Sequence, residues 1–136
     1  MRPRLALLLS TLLIIVAVVP WLTYTDHSHW GEVRWIPFVS SPQKVRDWAA
    51  NVALYVPFGY SYARQGAGGR RLWRAIVYAG LLSTATEVTQ VFAHRRFPST
   101  TDIVFNVLGA VAGVRLARRR RDRKVDTALP DGEVAC

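Results

Sequence analysis

The stretch Leu5–Thr23 (LALLLSTLLIIVAVVPWLT) carries no charged residue over 19 positions, and it limits what this chain can fold into more than any other feature. At 1.5 Å rise per residue such a run spans roughly 28 Å as a helix, close to the ~30 Å hydrocarbon core of a bilayer. The basic start, Arg2 and Arg4, would also suit a cleaved leader. The apolar run is long, however, and no small-x-small cleavage site follows it, so it reads as a retained anchor. Three further apolar blocks follow, at about 48–63, 72–93 and 102–117, each interrupted by polar residues.

Charge placement turns these blocks into a topology. With four spans and an inside N-terminus, thirteen of the 18 Lys and Arg fall inside: Arg2, Arg4, Arg64, Arg70, Arg71, Arg74, Arg115 and the six of 118–124. The outside segments hold Arg34, Lys44, Arg46, Arg95 and Arg96. That asymmetry is what the positive-inside rule requires. The expected fold is therefore all-α, an integral membrane bundle of four transmembrane helices with both termini cytoplasmic. In a chain of 136 residues it forms one unit. Residues 1–4 precede the membrane domain, 5–117 form it, and 118–136 are a basic segment and then a disordered tail.

The net charge of +9 calls for no nucleic acid, because RRRRDRK at 118–124 directly follows a span and reads as an anchor against anionic lipid. The lone cysteine, Cys136, excludes an internal disulfide. The first outside loop is rich in aromatic residues (Tyr24, Trp30, Trp35, Phe38), which favour the headgroup zone. Its Asp26-His27-Ser28-His29 reads as an exposed polar turn, so no metal and no cofactor are expected.

The polar residues inside the spans carry the functional argument. Glu87 and Gln90 lie three apart near the outer end of the third span, and Ser83 and His94 extend that face at helical spacing. The fourth span begins at Asp102, with Asn106 one turn deeper, and continues as Gly109 and Gly113, a small-xxx-small stripe that admits a neighbouring helix closely. Asn51 falls in the first turn of the second span, and Pro57 frees a carbonyl further along it. Polar side chains from three helices thus converge on one layer in the outer third of the membrane. Ionisable groups within spans are expensive and usually face a bundle interior or cavity. Asp102, following Ser99, Thr100 and Thr101, is equally suited to capping its helix. Arg95 and Arg96 are candidate partners for Glu87, and Arg96 is one for Asp102.

Ile36-Pro37-Phe38, then Asn51 to Gly59 (NVALYVPFG), then Glu87 with Gln90, then Arg96 through Asp102, Asn106 and Gly109, follow one another as in a known family. Over roughly 36–113 the chain resembles the VanZ-like membrane proteins. That resemblance implies a small multi-span protein of the bacterial cytoplasmic membrane, in a family whose founding member is linked to low-level resistance to the glycopeptide teicoplanin. Arg34-Trp35 stand where some members have Asn-Leu, and Ser99 and Thr101 where some carry carboxylates.

Three functions are compatible with these residues. In the first, an outward-facing pocket binds an envelope component, a cell-wall precursor or a lipid headgroup, or limits glycopeptide binding, with Asn51, Gln90, Arg95, Arg96, Asp102 and Asn106 as the binding set. In the second, a membrane-embedded enzyme acts on a lipid-linked substrate with Glu87 as the catalytic acid or base. In the third, the protein is a structural accessory of the membrane whose polar residues tie helices together.

Overall fold

A computed structural model describes residues 2–19, 27–28, 30–38, 45–66, 70–93 and 98–128. It is built from four α-helices: α1 (Pro3–Val18), α2 (Val45–Ala63), α3 (Arg71–Gln90) and α4 (Thr100–Ala128). A 3-10 turn, Trp30–Glu32, lies between α1 and α2. Among the described residues there is no strand. An isolated parallel bridge joins Arg34 to Ser99.

The helix limits differ from the sequence expectation for local reasons. Pro3 opens α1 at a position where its missing N–H is no loss. The helix stops at Val18 because Val19 is extended (φ −71°, ψ 129°), the conformation that a following proline favours. Val19–Thr23, expected to continue the first span, is therefore not helical at its start, and 20–23 lie outside the described residues. At the end of α3 the chain tightens: Val91, Phe92 and Ala93 each donate to the carbonyl three residues back, so the helix closes at Gln90 rather than 93. In contrast, α4 runs on. The arginine run expected to follow the fourth span as a tail is helical to Ala128.

Successive helices alternate in direction. One end of the bundle brings together Val18, Gln90, Arg34 and Ser99–Thr101. The other joins Tyr62, Gly66, Arg71 and Arg121. The tightest seam is α2 against α4. A Cβ on Gly59 would overlap the Ala110 carbonyl, one on Gly109 the Val52 carbonyl, and one on Gly113 the Val56 carbonyl and Tyr60 amide. The small-residue stripe is thus used at backbone contact, with Gly59 as its counterpart on α2. A core of Ile14, Tyr55, Phe58, Ala79 and Ala110 draws on all four helices. Pro57 sits on the exposed side of α2, away from that seam, and the helix is continuous through it.

The outside of this bundle is apolar. Leu5, Leu8, Leu9, Leu12, Leu13 and Val16 of α1 stay exposed, as do Trp73, Tyr78, Leu81 and Val88 of α3 and Leu108 and Leu116 of α4. One described helix, Thr100–Val125, is long and apolar enough to cross a membrane, while Pro3–Val18 is apolar but shorter.

Candidate functional site

The interior of the bundle end that holds Arg34 and Ser99 is polar. Ser83, Thr86, Glu87 and Gln90 of α3, Ser99 before α4, and Thr101 and Asn106 within it are all buried, Glu87 at 6% exposure and Asn106 at 2%.

Most of the partners of these side chains come from other elements. The Ser99 amide donates to Glu87 Oε2 at 2.9 Å. Ser99 precedes the first residue of α4, so Glu87 satisfies one of the orphan donors at that helix start. A capping box would draw the same acceptor from within the helix, three residues on. The placement also resolves an electrostatic conflict. A carboxylate in the last turn of α3 is disfavoured by that helix's own dipole, whereas the N-terminus of α4 attracts it. Gln90 Nε2 reaches the carbonyl of Val18, the last residue of α1, at 3.5 Å, which is the outer limit of a hydrogen bond. Asn106 Nδ2 donates to Ser83 Oγ at 2.8 Å and ties α4 to α3. Among the described residues the buried Asn106 Oδ1 has no hydrogen-bond partner.

The loop before α2 closes over this layer. Arg34 donates from its amide to Pro98 O (3.0 Å) and accepts from the Thr100 amide (3.2 Å). The Thr100 hydroxyl lies 3.0 Å from Arg34 O and 2.9 Å from Trp35 O, and the Phe38 amide donates to Thr101 Oγ1 at 2.9 Å. Phe38 takes a left-handed conformation (φ 65°), uncommon for a bulky residue, and its ring meets Phe105 edge-on at 6.3 Å. Phe105 in turn stacks on Trp48 at 5.1 Å. Two separate sequence signatures, Ile36-Pro37-Phe38 and Pro98-Ser99-Thr100-Thr101-Asp102, are therefore the two halves of one joint.

Beside the joint lies a cleft of about 90 Å³ between Trp30, Val33 and Trp35 on one side and Val88, Val91, Pro98 and Ile103 on the other. Its polar contributors are Thr84, Glu87, Ser99 and Thr100. Among the described residues that line it, Glu87 is the one charged side chain.

Of the residues singled out from sequence, Glu87, Gln90 and Asn106 share the buried layer. Asp102 lies in the first turn of α4, half-buried, its amide donating to Ser99 O at 3.0 Å. Asn51 is half-buried one turn before Tyr55, with no hydrogen bond to the layer among the described residues. Arg95, Arg96 and His94 lie outside the described residues, as do Asp26 and His29 of the polar turn. Sequence reasoning passed over Tyr55, Thr86, Ser99 and Thr101. Tyr55 had a signal, since it follows Asn51 by four on a helix face. Ser99 and Thr101 stood beside Asp102 in a signature but were read only as its context, and Thr86 had no signal, because Ser and Thr are common in apolar helices.

The VanZ/LLP1 family profile matches residues 5–121. The chain belongs to that family, whose membrane association agrees with the apolar exterior just described. No curated protein and no solved structure matches it.

Proposed function

We propose that this protein is a four-span protein of the bacterial cytoplasmic membrane, with both termini cytoplasmic, whose outer end binds a small headgroup or another envelope component in the cleft beside Glu87. Two features of the bundle support the membrane part. Its exterior is apolar on α1, α3 and α4, a larger apolar surface than a water-soluble domain usually exposes, while one end of its interior buries a layer of polar side chains beside the apolar core. Its basic residues collect at one end, in the inside segments. The topology is tested by labelling single cysteines, on a background lacking Cys136, at Glu32 and at Arg70. A membrane-impermeant reagent added outside intact cells labels the first position and not the second. The opposite pattern would refute the orientation.

The observation that carries the binding part is that Glu87 both lines the cleft and belongs to the buried layer. An apolar slot flanked by two tryptophans, with the Glu87 carboxylate in its described lining, suits a group with an apolar body and a cationic or hydrogen-bond-donating head. At about 90 Å³ it accepts part of a molecule only. A whole glycopeptide does not fit.

A second reading, the structural accessory, is favoured by a different observation: Glu87 accepts a hydrogen bond from another element, and Gln90 and Asn106 each donate one to another element. Glu87→Gln and Trp35→Ala separate the two. If the cleft binds, both variants stay folded and lose retention of an ethanolamine-headgroup lipid relative to a phosphatidylglycerol of the same chains. Unchanged retention in both, with Glu87→Leu failing to assemble, would leave the structural role alone. The enzyme alternative, with Glu87 as acid or base, has weaker support, since the Ser99 amide already holds one carboxylate oxygen.

A further inference from the structure

The opposite end of the bundle carries a groove of about 620 Å³ between the end of α2 and the extension of α4, with Tyr60, Arg64, Arg120, Arg121 and Lys124 around Ala117. Four of these are cations, and no carboxylate is among the described residues that line the groove. Arg64 and Arg120 come from different segments yet stand over the same ring, 5.9 and 5.8 Å from the Tyr60 centroid. Arg121 donates to the Gly66 carbonyl at 3.3 Å. Among the described residues Arg64, Arg120 and Lys124 form no ion pair.

Four cations lining one groove repel one another, and the Tyr60 ring's attraction for Arg64 and Arg120 is small at an exposed site. A shared anion removes that repulsion. Guanidinium forks match phosphate oxygens two at a time, and the tyrosine restricts where the forks lie before anything binds. The groove borders the apolar exterior: Leu116, next to Ala117, is exposed. A ligand seated here meets cations at one end and a lipid-facing surface at the other.

We propose that this groove is a binding site for the phosphate-bearing headgroup of an anionic phospholipid. Its assignment to the cytoplasmic leaflet rests on the orientation proposed above; the site itself does not. This differs from a diffuse basic anchor, in which every arginine of 118–124 would count alike. Arg119 and Arg123 lie on the same helix but outside the groove, which makes the distinction measurable.

The experiment uses the full chain in a neutral detergent, where no leaflet exists, so a wrong topology leaves the result intact. Tetraoleoyl cardiolipin, dioleoyl phosphatidylglycerol and dioleoyl phosphatidylcholine are titrated and bound lipid is counted by native mass spectrometry. The two anionic lipids bind in preference to phosphatidylcholine. At about fivefold per cation, the Arg64→Gln, Arg120→Gln double variant weakens that binding roughly thirtyfold, while Arg119→Gln, Arg123→Gln, with the same change of charge, weakens it less than about threefold. Equal losses in the two double variants would overturn the site in favour of a diffuse field. Inorganic pyrophosphate binding as tightly as the lipids would reassign the ligand to a soluble phosphate. Preferential binding of a single-stranded oligonucleotide would replace lipid with nucleic acid. Either outcome sinks the proposal.

Discussion

The two ends of this bundle handle polarity in opposite ways. At one end the polar groups are buried, mostly neutral, and linked across elements: Glu87 to Ser99, Asn106 to Ser83, Thr101 to Phe38. At the other they are cationic, exposed and spread along the helical extension of α4, whose Arg120 shares the Tyr60 ring with Arg64 from the end of α2. Depth explains the contrast. A group away from water must find a partner inside the protein, so each polar side chain in the buried layer fixes a relation between elements. A group at the surface can keep water or lipid phosphate as its partner, and apart from the Arg71 and Arg121 bonds to the Tyr62 and Gly66 carbonyls it fixes little within the fold. One end therefore specifies structure, and the other leaves its charge available to something outside the chain.

The largest expected effect tests the seam between the two ends. Gly113→Leu and Gly59→Leu each drive a side chain into facing backbone, which cannot yield as a side chain can. A loss of about 3 kcal/mol or more is expected, at the top of the overpacking range, read as unfolding in mixed micelles. A loss under about 1 kcal/mol would mean that the helices do not meet at backbone contact.

Glu87→Leu comes next. It leaves the Ser99 amide buried without its acceptor, for an expected loss of about 1–3 kcal/mol, whereas Glu87→Gln keeps an acceptor and loses less than about 1 kcal/mol. Equal losses in the two variants would show that ionisation, rather than the hydrogen bond, secures α4 to α3. Thr101→Val conserves shape but removes the acceptor for the Phe38 amide. It costs about 1 kcal/mol and frees the loop, read as greater quenching of tryptophan fluorescence by a soluble quencher.

Asn106→Leu should be the mildest change at the buried end. It loses the Ser83 bond but also removes the unpartnered Oδ1, and interhelical bonds in membranes average only about 0.6 kcal/mol. A loss above about 2 kcal/mol would indicate a further partner for that oxygen. At the exposed end, Arg119→Gln is expected to change stability by less than about 0.5 kcal/mol, because it touches no packed group. A larger loss would break the contrast between the ends.

The helical class, the number of helices and the family were legible in the sequence, because apolar blocks, turn residues and signature spacing are local patterns. So was the face shared by Ser83, Glu87 and Gln90, which follows from the period of the helix alone. The depth of Glu87 was less legible. Read as six residues inside a span ending at 93, it lies three residues from a helix that ends at Gln90, because hydropathy does not register the tightened turn at 91–93. Asn51 was expected in the layer and lies half-buried without a bond to it, while Tyr55, one turn further along α2, is fully buried among the core residues.

The sequence by itself determined where helices form, which end of the bundle is basic, and that polar residues recur at helical spacing within apolar segments. Only the tertiary structure decided which partner each would meet. Glu87 meets the Ser99 amide, Gln90 the Val18 carbonyl and Thr101 the Phe38 amide, all backbone groups. Nearly every residue carries such groups, so the sequence has no pattern to mark the partner in advance. The pairing appears only once α2 and α4 have closed at their glycines and set the register of the remaining elements.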